Sequence, residues 1–195
     1  MALGKQAKTL TRAQIEGVLG YLDGTRYPSR NRVILLLSVK AGLRAKEIAC
    51  LTWDMVTDSG GRVGEAIHLS DIASKGRSGR VIPINRDLRQ SLLDLDQYRS
   101  LGRPSPFILR TERASMTSPQ VVVNLFQKWY RDLGFHGCSS HSGRRTFITN
   151  AARKISTVGG SIRDVQVLAG HANLGTTQRY IEQHVGAQRK IVDLV

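Results

Sequence analysis

Cysteine is nearly absent. Cys50 and Cys138 are the two in 195 residues, too few for a disulfide framework. Cys50 lies in an apolar helical pattern and reads as core, while Cys138 lies in a Gly/Ser-rich loop. No Cys/His cluster has zinc spacing, and no acidic cluster is present, so no metal or other cofactor is expected. Long apolar runs are missing as well. The longest, Val33 to Leu37, is far too short to span a bilayer. The N-terminal basic residues have no apolar segment behind them, so a secretory signal is not expected. Acid is scarce: 15 Asp and Glu stand against 29 Lys and Arg, for a formal net charge of +14. That excess says nothing about fold but favours a polyanionic partner, nucleic acid before an acidic membrane surface. The expected setting is cytoplasmic, in association with the nucleoid.

What is present is mostly helical periodicity. Residues 1–10 read as a loose basic arm. Thr11 is an N-cap candidate, and Ile15, Val18, Leu19 and Leu22 follow at helical spacing until Asp23-Gly24. Pro28-Ser29 opens a second helix whose run through Val39 is apolar nearly all round, which predicts a buried central helix ended by Gly42. Leu43 to Leu51 reads as a short helix. From Trp53 the period changes. Glu65 to Ile72 and Val81 to Ile84 read as two strands of a hairpin, with Lys75 at its shoulder and Met55 to Asp58 as a third strand. Helices resume over Asp87 to Arg99 with Leu88, Leu92, Leu95 and Tyr98 inward, and around Val122, Leu125, Phe126 and Trp129. Further helices are expected over His141 to Lys154, around Ile162, Val165 and Leu168, and over Thr176 to Gln183. No internal repeat and no linker divides the chain.

Six polar residues at loop edges and helix starts stand out: Arg44, Lys75, His141, Arg144, His171 and Tyr180. Together they supply what a tyrosine needs to attack a phosphodiester. A free tyrosine, with a pKa of about 10, is a weak nucleophile at neutral pH. It needs a proton acceptor and an electrophile whose negative charge is offset. Arg44 and Arg144 would clamp the non-bridging oxygens, because a planar guanidinium holds two at once. Lys75 would protonate the leaving 5′ oxygen. His141, three residues before Arg144 on one helical face, would take the tyrosine proton or hold a phosphate oxygen. His171 would add a hydrogen bond to the phosphate, and Glu47 would support Arg44 from the same helix entrance. Each has a plainer role when read singly. Arg44 and Glu47 fit a surface ion pair, Lys75 a turn lysine, His141 a helix-start residue, His171 a turn residue and Tyr180 a core aromatic. Lys40, Arg77, Arg80 and Lys128 read as phosphate or groove contacts, and Arg145, about 100° around the helix from Arg144, as structural or backbone-contacting.

The chain resembles the catalytic domain of the tyrosine recombinases, the phage integrase family. The resemblance rests on Gly42-Leu43-Arg44-Ala45-Lys46-Glu47-Ile48, on Lys75 through Arg80-Val81-Ile82-Pro83-Ile84, on His141-Ser142-Gly143-Arg144-Arg145-Thr146-Phe147, and on Leu168-Ala169-Gly170-His171 through Tyr180. It implies an α+β fold, mostly helical with a small antiparallel sheet, expected here as three-stranded. The domain would run over residues 11–184, with 185–195 as a tail that docks on a neighbouring protomer. It implies a 3′-phosphotyrosyl intermediate on Tyr180, a free 5′ hydroxyl, double-stranded DNA as partner and a homo-tetramer on paired sites, with a DNA-bending accessory protein as a further candidate. Site-specific recombination without metal or ATP is the function implied. A type IB topoisomerase, which shares the chemistry, and a non-cleaving DNA-binding regulator of the same fold are the alternatives. Two departures stand out. Gly143 replaces the leucine usual before the second arginine, and a glycine there weakens a helix by roughly 1 kcal/mol. Most members also carry an N-terminal clamp domain, whereas little precedes Thr11 here, as in a naturally short member or a fragment.

Overall fold

The structure, a computed structural model, describes residues 7–74, 79–99, 105–111, 114–180 and Val192. Its organising element is helix α2 (Pro28–Lys40), against which α1 (Arg12–Asp23), α3 (Ala45–Ala49), α4 (Arg86–Asp96) and α6 (Ser142–Lys154) all pack. Proline at its first position costs no hydrogen bond there and presets the helical φ. Every residue from Val33 to Val39 is buried, so the apolar run sits where its periodicity placed it.

The other helices start where local chemistry says they should. The Thr11 hydroxyl accepts from the Gln14 backbone at 3.2 Å, while the Gln14 side chain accepts from the Thr11 backbone at 2.9 Å. Asn85 caps α4, and Ser118 caps α5 (Pro119–Asp132), which carries Phe126, Trp129 and Tyr130 into the core. Ser161 and Asp164 cap α7 (Ile162–Ala169), and Asn173 caps α8 (Leu174–Gln178). Leu10 belongs to the core as well: its N–H donates to Thr146 Oγ1 at 2.7 Å, so the end of the expected basic arm is docked.

Strands β1 (Ala66–Leu69) and β2 (Arg80–Pro83) pair antiparallel, with Ile67 opposite Ile82 and Leu69 opposite Arg80. The expected third strand does not form over Met55 to Asp58, and among the described residues the sheet has two strands. Trp53–Met55 is a 3-10 turn, and Thr57 makes one isolated bridge to Val63. The cause is the tight turn between them. The Asp58 carboxylate accepts from Gly60 and Arg62 backbone N–H groups, which reverses the chain after a single pair. Two smaller differences concern helix ends. α4 stops at Asp96, which leaves Tyr98 exposed rather than inward. His141 is the residue preceding α6 rather than part of its first turn.

Gly143 has a packing explanation. It lies where α6 crosses α2, and a Cβ there would stand 2.9 Å from Ser38 Cβ and 3.0 Å from Val39 Cγ1, with Ser38 Oγ closer still. The glycine lets the two helices approach, and a leucine does not fit this contact.

Candidate active site

The site begins where α2 ends. Gly42 adopts φ +66°, and a side chain there would overlap the Phe147 ring. This turn frees the Gly42 carbonyl and aims Arg44 at the start of α3. Glu47, one turn on, is fully buried. Its carboxylate accepts from the Arg44 backbone at 2.9 Å and from Arg44 Nη1 at 2.7 Å. A buried carboxylate survives only when its oxygens are satisfied. Arg80 completes the set, with Nη1 and Nη2 each 3.1 Å from a Glu47 oxygen. Burial pushes the Glu47 pKa up, but the Arg80 hydrogen bonds and charge, together with Arg44, outweigh it and hold the group below the ordinary value.

Arg144, on the first turn of α6, is also buried. Its Nη1 donates to the Gly42 carbonyl at 2.5 Å and its Nη2 to the Ala169 carbonyl at 2.6 Å. Burial lowers its pKa to about 10, with the charges of Arg44 and Arg80 adding to the effect. The guanidinium is still charged at neutral pH. Arg44 and Arg80 bond the Glu47 carboxylate and Arg144 adds a third guanidinium close by, which leaves a net positive site suited to an anion.

α7 and α8 complete it. Gly170 takes the left-handed conformation at the end of α7 and turns the chain into His171. Gln166 fixes that backbone in both directions: its side-chain amide donates to the His171 carbonyl at 2.9 Å and its backbone carbonyl accepts the His171 N–H at 3.2 Å. His171 Nδ1 lies 2.9 Å from the Oγ1 of buried Thr177. Burial and the surrounding arginines, Arg144 first, lower the His171 pKa to about 4, so the imidazole is neutral at pH 7. The His171 and Tyr180 rings stack with centroids 5.7 Å apart. Arg145 places its guanidinium 5.9 Å from the centre of the Tyr180 ring.

The fold therefore brings Arg44, Glu47, Arg144, His171 and Tyr180 into one region. His141 stands exposed beside the start of α6, one turn from Arg144. Lys75 and Arg77 lie outside the described residues, but the neighbouring Ser74 carbonyl is 3.3 Å from Lys46 Nζ on α3. One reading of a basic residue changes. Arg80 is not a groove contact: its side chain is 4% exposed and spent on Glu47 and on the Leu168 carbonyl. Arg145 has its guanidinium beside the Tyr180 ring, which is compatible with the structural role read for it. Lys40 pairs with Asp87 at 2.8 Å, and Lys128 with Asp132 at 2.6 Å. Among the described residues, no three His, Cys, Asp or Glu side chains gather as a metal site, and no helix is long and apolar enough to cross a membrane. A cleft of about 480 Å³, lined by Tyr27, Trp53, Tyr98 and Phe107, opens at the opposite end of α2 and holds none of these residues.

Residues 8–186 match the sequence model of the phage integrase family. The chain belongs to the phage integrase family. Among curated relatives, the tyrosine recombinase XerA of Pyrococcus horikoshii is 32% identical over 177 residues, covering 89% of this chain and 56% of that protein. The chain thus spans little more than half the length of such relatives. Among solved structures, the Tn1549 transposon integrase in complex with a circular intermediate DNA superposes with a TM-score of 0.77 at 18% identity, covering 97% of this chain and 66% of that one. The XerA recombinase crystal structure gives 0.74 at 19% identity, covering all of this chain and 65% of that one. The fold is that of the tyrosine recombinase catalytic domain, α+β and mostly helical.

Within this phage integrase domain, sequence reasoning missed Thr177 and Gln166, which hold His171 from the side-chain and backbone sides. Thr177 carries a faint signal, since it sits just inside a capped helix between the candidate histidine and tyrosine. Gln166 carries none.

Proposed function

We propose that this chain is the catalytic domain of a DNA site-specific recombinase that cleaves and rejoins strands through Tyr180. The observation that carries this reading is the joint arrangement of Arg44, Arg144, His171 and Tyr180 beside the buried Glu47–Arg80 pair. A phosphodiester bound there meets two guanidiniums at its non-bridging oxygens. Arg144 is fixed by two backbone carbonyls and needs no reorganisation as charge develops on the five-coordinate phosphorus. Arg44 spends Nη1 and its backbone N–H on Glu47 and turns its remaining donors to the phosphate.

His171 acts as a neutral donor. With Thr177 Oγ1 donating to Nδ1, the proton resides on Nε2 and is directed at a phosphate oxygen. Tyr180 Oη attacks phosphorus, a phosphotyrosyl bond to the 3′ end forms, and the bond to the 5′ oxygen breaks. His141 accepts the tyrosine proton, and Lys75 protonates the leaving 5′ oxygen. Rejoining runs the same steps backwards, because the phosphotyrosine conserves the energy of the broken bond. Assembly as a tetramer on two DNA sites, with residues 185–195 docking between protomers, follows from the same reading, and that tail, apart from Val192, lies outside the described residues.

The test is a covalent trap. Nicked duplexes carrying candidate sites are incubated with the protein, and a denaturation-resistant adduct attached through the DNA 3′ end is expected. Tyr180→Phe abolishes it while leaving DNA binding intact. Tight binding of the wild-type protein without an adduct on any duplex would replace this reading with a non-cleaving regulator.

A further inference from the structure

We infer that Arg80 is a positioning residue for strand cleavage, the tie that holds the β1–β2 hairpin, the Arg44 helix entrance and the His171 turn in one geometry. The inference rests on the proposed recombinase reading and deepens it. Its basis is where the Arg80 donors go. Two reach Glu47, and Nε donates to the Leu168 carbonyl at 2.9 Å. Leu168 and Ala169 are the last residues of α7, whose terminal carbonyls lack helical partners. Arg80 takes the first and Arg144 the second. The two arginines therefore close the end of α7 together, from β2 on one side and α6 on the other. His171 follows directly.

Gly170 reports how tight this closure is. A Cβ there would lie 2.8 Å from Arg80 Nη1 and 3.1 Å from its Cδ and Cζ. The turn into His171 is thus moulded on the Arg80 guanidinium. β2 also opens with Arg80, at the base of the hairpin segment that contains Lys75.

Arg80 also decides how Arg44 is used. Glu47 has two oxygens, and Arg80 engages both with parallel donors. Arg44 is left with a single guanidinium contact, to Oε1. Without Arg80, the geometry lets Glu47 recruit Arg44 in a two-pronged pair, which turns its donors inward and away from phosphate. A lysine cannot replace this. One ammonium cannot span both Glu47 oxygens and the Leu168 carbonyl in the fixed fork that a guanidinium provides.

The experiment compares Arg80→Lys and Arg80→Gln with wild type on a nicked duplex, with DNA binding, thermal melting and single-turnover adduct formation measured on the same preparations. Arg80→Lys is expected to fold, to bind DNA within about threefold of wild type, and to form adduct on the order of 100-fold more slowly. Added methylguanidinium restores part of the rate to Arg80→Gln, which a general loss of stability would not allow. Wild-type adduct rates in both folded variants would overturn the inference. So would failure of both to fold, which assigns Arg80 to stability alone. An absence of adduct in wild type itself would instead strike the recombinase reading, so the two failures are separable.

Discussion

Replacing Gly143 with alanine is expected to destabilise the domain and slow its chemistry, against the ordinary preference of a helix for alanine. Propensity alone predicts a gain of up to about 1 kcal/mol, less near a helix start. The contact geometry opposes it. The new methyl would press on Ser38 Cβ at 2.9 Å and Val39 Cγ1 at 3.0 Å, both on a helix buried along its whole inner length. Ser38 Oγ can rotate, but its Cβ cannot yield without moving α2. Overpacking of this kind costs about 1–3 kcal/mol, so the net loss is on the order of 1–2 kcal/mol. For a chain of this size that lowers Tm by roughly 2–8 °C. The next residue is Arg144, whose Nη1 must still reach the Gly42 carbonyl, so adduct formation slows as well. The check is a double-mutant cycle with Ser38→Gly, read by thermal melting. Removing the Ser38 side chain clears the nearest contact, and the two substitutions together are expected to cost less than the sum. A Gly143→Ala protein that melts higher than wild type, or strict additivity in the cycle, would refute the close-approach explanation.

Thr177→Val removes the hydroxyl that bonds His171 Nδ1, at nearly constant volume. A loss of about 10-fold in adduct formation is expected, with DNA binding unchanged in a filter or gel assay. Acid should also weaken the fold in a specific window. His171 titrates near 4 when folded and near 6.5 when unfolded, so the unfolded chain binds more protons between those values. Its contribution is full above about pH 6.5 and is lost as pH falls towards 4. The bare shift corresponds to about 3 kcal/mol, which partial exposure reduces to about 1–2 kcal/mol. Glu47, also held below its ordinary value, contributes above its unfolded pKa and loses that contribution as pH falls through the lower folded one, extending the decline further into acid. Melting curves from pH 7.5 to 4 should show the slope, and His171→Gln should flatten its upper part. An unchanged slope in that variant would remove His171 from the account.

The fold was legible wherever the signal is local. Thr11 and Pro28 begin helices because each helix start is a matter of a few neighbouring residues. Arg44 with Glu47 could be read for the same reason, since a separation of three residues puts both at one helix entrance. What failed was long-range or a matter of where an element stops. Basic residues on a hairpin look alike in sequence, and nothing local separates Arg80 from a groove contact, because its partner Glu47 is 33 positions away. The strand alternation held a clue, since Arg80 shares the inward face with Ile82. Gly143 looks like a weakness in sequence because its reason, Ser38, lies on another helix. The third strand failed because Asp58 tightens a turn that the β-branched residues around it do not reveal.

One consequence follows from how the apolar residues divide. The main core, gathered around α2, supports Arg44 and Glu47. Tyr180 packs instead against a small separate cluster built on Ile148, Val165 and Ala169. Arg44 and Glu47 are therefore set in the larger core, while Tyr180, the proposed nucleophile, rests on a much smaller cluster that Arg144 joins through the Ala169 carbonyl. The smaller cluster is expected to open locally at lower cost than the core, so Tyr180 could be withdrawn or presented without disturbing Arg44. Amide exchange is expected to run faster along α8 than along α2, and an engaged phosphate would close that gap by recruiting the looser half onto the rigid one.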